Sequence, residues 1–130
     1  MTNTQNILVI DDDLDVRESI RDLLAAENLN CSVAATGKEG LAKVQGENPV
    51  LVVTDVQLPD ISGYQVCQSI RRSKASSKLP VVMITGRFTE PQDKVQGLES
   101  GADEFLTKPF DPKYFIARVK SILRALSQTA

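Results

Sequence analysis

Four short apolar runs mark the chain at intervals: Ile7 to Ile10, the mixed segment Cys31 to Ala35, Val50 to Val53 and Val81 to Ile84. Three of them lack polar alternation, as strands do when both faces of a parallel sheet are covered. Their length and β-branched content favour strand over buried helix. A fifth, weaker run, Glu104 to Thr107, follows the turn at Gly101-Ala102-Asp103.

Between the runs the period becomes helical. Val16, Ile20, Leu23 and Leu24 share one face of a helix over about 14 to 27, with Asp13 placed to cap it. A second helix, about 37 to 46, starts near Thr36 and turns Leu41 and Val44 inward, before Pro49 ends it. A third, about 63 to 73, carries Val66, Cys67 and Ile70 inward. The fourth, about 90 to 100, opens on Thr89 and Pro91, carries Val95 and Leu98 and closes at Gly101. The fifth begins at Asp111-Pro112 and spaces Phe115, Val119, Ile122, Leu123 and Leu126 helically. Strand and helix thus alternate five times, which predicts an α/β fold with right-handed crossovers and helices on both faces of a parallel sheet. Ligands of such folds bind at the carboxyl ends of the strands.

Length and composition narrow the picture further. The 130 residues, 42% of them hydrophobic, suit one domain, 1–130, with a core over about 5–126. Fifteen basic and seventeen acidic residues give a net charge of -2, so no global field draws nucleic acid or an anionic membrane. There is no histidine and no C-x-x-C pair, which removes zinc fingers and histidine-based metal sites. Two separate cysteines, Cys31 and Cys67, are expected buried in a protein of the reducing cytoplasm. No run approaches a membrane span, and the first residues lack a signal peptide's pattern.

The strand ends carry the chemistry. The first ends in Asp11-Asp12-Asp13, the third in Asp55, the fourth in Thr85-Gly86 and the fifth in Lys108-Pro109. Taken singly, each has a bland explanation as cap, loop acid, strand residue or solvated charge. Together they place several carboxylates and an ammonium on one rim, a cluster that serves no packing purpose. If Asp11, Asp12 and Asp55 meet, repulsion raises a pKa unless a cation neutralises them, and oxygen-only ligands select a hard ion such as magnesium. Lys108 would act as a point charge on phosphate oxygens. A carboxylate nucleophile, a divalent cation, a lysine and a hydroxyl are the parts needed to form an aspartyl phosphate.

ILVIDDD at 7–13, VVTDVQLPDISGYQ at 52–65, VVMITG at 81–86 and GADEFLTKPF at 101–110 resemble, in that order, the motifs of response regulator receiver domains of two-component signalling. The resemblance covers about residues 5 to 126 and extends to the chemotaxis-regulator-like type. It implies a flavodoxin-like doubly wound sheet of five parallel strands, order 2-1-3-4-5, with five helices. By the same resemblance Asp55 is phosphorylated, and Asp12, Asp55 and the backbone carbonyl of Gln57 bind Mg2+ or Mn2+, with Asp11 assisting through water. Lys108 pairs with the phosphoryl group, Thr85 hydrogen-bonds it, and Lys108-Pro109 is cis. Thr85 and the aromatic Phe105 form the switch; Phe at 105, where tyrosine is the family's usual residue, leaves ring packing without a phenolic hydrogen bond. Gln57 and Arg87 flank the path of the hydrolytic water and tune the phosphoryl lifetime.

The implied role is that of a phosphoacceptor in a phosphorelay, not a dedicated enzyme, though it catalyses its own phosphotransfer from a phosphodonor and its own dephosphorylation. The donor is a histidine kinase or histidine phosphotransfer protein. Switching would remodel the face formed by the fourth helix, fifth strand and fifth helix, with Val95, Phe105 and Phe115 near its surface, and that face could support a dimer. No direct nucleic-acid contact and no membrane insertion are expected, and neither stimulus, kinase nor output is encoded. After the last helix the chain carries no DNA-binding segment, as in a stand-alone receiver or the first piece of a longer regulator.

Rival readings fail on particular residues. A haloacid-dehalogenase-type phosphatase needs a second aspartate where Gln57 stands. A flavodoxin-like cofactor binder would have its phosphate repelled by Asp11-Asp12-Asp13. An EF-hand over Asp11, Asp13, Asp15 and Asp22 lacks its glycine, with Val16 in that place. A Walker-type site lacks G-x-x-x-x-G-K. The alternative of another class is a receiver-shaped interaction module that is never phosphorylated; it would be marked by loss of the acids, threonine or lysine, and all are present.

Overall fold

In the computed structural model, which describes residues 6–86 and 91–128, strands and helices alternate five times. They are β1 (Asn6–Ile10), α1 (Leu14–Ala25), β2 (Asn30–Ala34), α2 (Gly37–Glu47), β3 (Leu51–Asp55), α3 (Gly63–Arg72), β4 (Val81–Thr85), α4 (Pro91–Glu99), β5 (Glu104–Thr107) and α5 (Pro112–Gln128). All strand pairs are parallel and the order is β2-β1-β3-β4-β5, the flavodoxin-like arrangement. Register pairs Ile10 with Thr54, Asp55 with Ile84 and Thr85 with Thr107, so the strands finish along one rim.

Two apolar layers explain why the strands lack polar alternation. Leu8, Ile10, Val52, Met83 and Phe105 face one layer, closed by Val44 of α2 and Val66, Cys67 and Ile70 of α3. Ile7, Val9, Val53, Val82 and Ile84 face the other, closed by Ile20 and Leu24 of α1 and Phe115 and Val119 of α5. Successive strand residues point to opposite faces, so covering both faces requires an apolar residue at every position.

The helix ends follow local chemistry. Asp13 accepts from the Asp15 and Val16 amides at the start of α1, and Thr36 accepts from the Glu39 amide at the start of α2. Ser62 and Gln65 form a reciprocal capping box on α3. Asp111 accepts from the Lys113 amide at the start of α5. Gly101, with φ of +110°, ends the segment after α4 in a conformation that L side chains rarely adopt. Thr89, read as the α4 cap, and Arg87 lie outside the described residues.

Several sequence expectations need correction. Element limits shift by one or two residues at most ends, while β3 ends in Asp55 as read from the chain. A turn of 3-10 helix at Lys74–Ser76, unforeseen, follows α3 and is tied back by the Ser76 hydroxyl donating to the Ile70 carbonyl at 2.8 Å. Cys67 is buried but Cys31 is only partly so, because β2 is an edge strand. Val95 and Leu98 of α4 are 52% and 45% exposed, since α4 turns Gly97 and not its larger apolar residues toward the sheet. Phe105 and Phe115, expected near the surface, are both buried, one in each apolar layer.

Candidate functional site

The rim formed by the ends of β1 and β3 and the loops after them encloses a cleft of about 360 Å³ lined by Asp11, Asp12, Asp13, Asp55, Gln57, Leu58, Pro59, Gly86 and Lys108. Asp11 follows the last residue of β1, and its amide continues the ladder by donating to the Ala34 carbonyl at 3.0 Å. One of its carboxylate oxygens accepts from the Asp13 amide at 2.9 Å and the other from the Lys108 ammonium at 3.1 Å. The Arg17 guanidinium donates to the Asp11 carbonyl at 2.8 Å, fixing the peptide that leads into Asp12. Asp12 is exposed to the cleft, whereas Asp11 is buried. Asp13 lines the same cleft but spends a carboxylate oxygen on the α1 cap.

Asp55 projects from the end of β3 with 12% of its side chain exposed. Its Oδ1 accepts from the Gln57 amide at 3.3 Å and its Oδ2 stands 3.7 Å from Lys108 Nζ. Burial pushes its pKa above the ordinary carboxylate value; nearby Lys108 pulls it down and Asp11 pushes it up, and burial prevails. The approach of the following loop depends on Gly63, whose amide donates to the Val56 carbonyl at 2.8 Å. A Cβ there would lie 2.3 Å from the Asp55 carbonyl oxygen.

Lys108 reaches the acids from the far side of the sheet end. Its amide donates to the Thr85 carbonyl at 2.7 Å, its stem runs over Gly86, and the peptide to Pro109 is cis. The ammonium hydrogen-bonds Asp11, with Asp55 the longer partner. Thr85 is buried at the end of β4, one residue beyond the register partner of Asp55, and does not line the cleft. Phe105 is buried beneath α4, where a Cβ on Gly97 would lie 2.4 Å from its ring. The structure therefore brings Asp11, Asp12, Asp55, Gln57 and Lys108 to one cleft, and sets Thr85 and Phe105 behind it.

Asp11, Asp12 and Asp55 each offer a carboxylate oxygen, and the three atoms lie within 4.8 Å of one another. An all-oxygen set this tight suits a small hard cation. Asp13, committed to its helix, is outside the set. Three residues shaping the cleft were missed from the sequence: Arg17, Gly63 and Asp60, whose carboxylate accepts from the Gly37 and Lys38 amides at 2.9 and 2.8 Å. Only Gly63 left a local sign, as the first residue of α3 after the Ser62 cap.

Residues 7–120 match the response regulator receiver domain family. The chain belongs to that family. It is 39% identical over 129 residues to the transcriptional regulatory protein ResD of Bacillus subtilis, covering 99% of this chain and 52% of ResD. It is 42% identical over 123 residues to the DNA-binding response regulator MtrA of Mycobacterium tuberculosis, covering 95% of this chain and 52% of MtrA. The receiver thus spans about half the length of the curated relatives it matches. Among solved structures, a putative response regulator from Chloroflexus aurantiacus superposes with a TM-score of 0.88 at 34% identity, covering 94% and 99% of the two chains. A CheY-like receiver domain protein from Methanospirillum hungatei gives 0.89 at 29% identity, covering 98% and 100%. The receiver is a signalling domain of two-component systems, and its acidic cluster matches the family's magnesium-binding character. No helix among the described residues is long and apolar enough to cross a membrane.

Proposed function

We propose that the receiver accepts a phosphoryl group on Asp55 from a histidine kinase or a histidine phosphotransfer protein. The observation that carries this reading is the setting of Asp55: a partly buried carboxylate opening on a cleft, with Lys108 Nζ at 3.7 Å and the Asp11 and Asp12 carboxylates beside it. A carboxylate oxygen of Asp55 attacks phosphorus in line, forming a new P–O bond as the donor's P–N bond breaks and its electron pair leaves with the imidazole. Lys108, held on Asp11 before transfer, is within reach of the arriving oxygens and offsets their charge. Asp12, Asp55, the Gln57 carbonyl and Asp11 would hold Mg2+ or Mn2+. When bound, that ion supplies charge neutralisation that three neighbouring carboxylates otherwise lack. Water later cleaves the P–O bond, releasing inorganic phosphate and returning Asp55, with Gln57 beside its path.

Phosphorylation adds about two negative charges at the rim. Thr85, already tied to Lys108 through the backbone, and Phe105 under α4 relay that change to the face made by α4, β5 and α5. Exposed Val95, Leu98 and Tyr114 on those elements suit a contact surface, including a dimer. The output lies with another segment or a partner, in keeping with relatives about twice as long as the matched region.

The test is incubation with acetyl phosphate and magnesium followed by intact mass measurement. One phosphoryl adduct, absent without the metal and absent in Asp55→Asn, is expected. An unmodified parent chain would overturn the reading and leave the unphosphorylated interaction module.

A further inference from the structure

The loop between β3 and α3 is anchored at both ends: Gly63 donates to the Val56 carbonyl, and Ser62 with Gln65 closes the start of α3. Between those anchors lie Gln57, Leu58, Pro59, Asp60 and Ile61, with Gln57, Pro59 and Asp60 exposed. A long-range polar contact crosses from this stretch to another element. The two oxygens of Asp60 accept separately from the Gly37 and Lys38 amides, at 2.9 and 2.8 Å, in the first turn of α2. Those amides lack intrahelical partners, and Thr36 satisfies only the Glu39 amide, so the helix presents two donors whose hydrogen bonds Asp60 accepts in forked geometry. Ile61 reinforces the seam, since a Cβ on Gly37 would lie 2.5 Å from its Cγ1.

We infer that Asp60 is a positioning residue that locks the β3–α3 loop to α2 and so holds the Gln57 carbonyl where it can face the acidic cleft. The inference rests on the reading of that cleft as a magnesium site. Its logic is mechanical: Gln57 sits three residues before the clasp and two after Asp55, and Leu58 and Ile61 hold the loop by apolar packing, which lacks the direction of hydrogen bonds, so the clasp supplies the directional tie across to α2. The donors belong to a helix packed on the sheet, and the sheet also carries Asp11 and Asp55. The clasp therefore refers the loop to the same rigid frame as the carboxylates. The Asp60 carboxyl also remains ionised through the working range. Although desolvation opposes it, the amides of Lys38, Gly37, Ile61 and Asp60 hold its pKa down to about 2.

Magnesium chloride titrated into the whole chain by calorimetry, with acetyl phosphate kinetics run at varied magnesium, tests this. Asp60→Ala should weaken magnesium binding about tenfold, the scale for loss of an outer partner of a metal ligand, while the phosphorylation rate at saturating magnesium stays within about twofold. Asp60→Asn keeps one acceptor and should lie between parent and alanine variant. Parent-like affinity in Asp60→Ala, a different order of the variants, or a fall confined to the saturating rate would each overturn the inference. Where Asp60→Ala does not fold, Lys38→Pro removes one donor from the first helical turn, where proline is tolerated, and should also weaken binding. A parent chain that binds no magnesium defeats the metal reading itself and this inference with it. Parent binding with unaltered variants defeats only the clasp.

Discussion

At the scale of single residues, the cleft stores electrostatic tension. Asp11 and Asp55 share one lysine, and Lys108 sits closer to Asp11, at 3.1 Å against 3.7 Å. Asp55 is thus the less compensated of the two, and burial raises its pKa. A carboxyl whose pKa is higher folded than unfolded favours the folded chain while protonated. Its destabilising effect is complete above the folded pKa and vanishes below the unfolded value, near 3.8. In metal-free buffer, Asp55→Asn should therefore melt above the parent at pH 7, with the gap narrowing as pH falls through the raised value. Paired thermal melts across pH check this, and a parent that melts as high as the variant at pH 7 contradicts it. Lys108 was expected at a phosphoryl group; its preference for Asp11 in the resting cleft could not be read from the chain, because the residues are 97 positions apart. The same limit hid Asp60, which reads locally as an ordinary turn residue after Pro59, its partners lying 22 and 23 positions back.

At the scale of elements, what the pattern revealed and what it hid separate by range. Runs such as Val81–Ile84 and caps such as Asp13 and Thr36 are local, so strand and helix order could be read directly. The inward face of α4 could not, because Val95 and Leu98 suggested an apolar stripe while Gly97 makes the close approach. There, Gly97→Ala would gain about 1 kcal/mol of helix propensity. It would also place a Cβ 2.4 Å from the Phe105 ring, and displacing a packed ring costs about 1–3 kcal/mol. The expected result is a net loss of stability in denaturant melts, with the aromatic resonances of Phe105 shifted. A parent-like spectrum would show that α4 yields instead. The β5–α5 contact is a second clasp, in which Glu104 accepts from Tyr114 at 2.6 Å and Arg118 at 3.1 Å. Desolvation would raise the Glu104 pKa, but the Tyr114 hydroxyl, the Phe105 amide and Arg118 together lower it. Stability from this group is present above its unfolded value near 4.5 and is lost as pH falls through the folded value. Tyr114→Phe should shrink that acid-side loss and move the Glu104 carboxyl resonance titration upward; an unmoved titration would remove Tyr114 from the account.

At the scale of the whole molecule, the three carboxylates make the folded state a ligand for cations in a way that the unfolded chain is not. Asp11 and Asp12 follow β1 and Asp55 ends β3, 43 or more positions further on, and their oxygens come within 4.8 Å of one another only when β1 and β3 pair. Magnesium should therefore stabilise the entire domain by mass action, by about 2.7 kcal/mol when its concentration is 100 times the dissociation constant. For a chain of this length that corresponds to a rise in Tm on the order of 10 °C. Above the dissociation constant the effect should keep growing with the logarithm of the magnesium concentration, and an equal ionic strength of potassium should not reproduce it. Asp12→Ala is the discriminating variant. Asp12 is exposed, so its removal should leave the metal-free Tm almost unchanged while displacing the magnesium response to higher concentration. Asp11→Ala should act differently, because it also strips Lys108 of its nearer partner and orphans the Asp13 amide, lowering the metal-free Tm as well. If both variants keep the parent's magnesium response, the three carboxylates do not form a binding unit, and the closeness of their oxygens serves the fold alone.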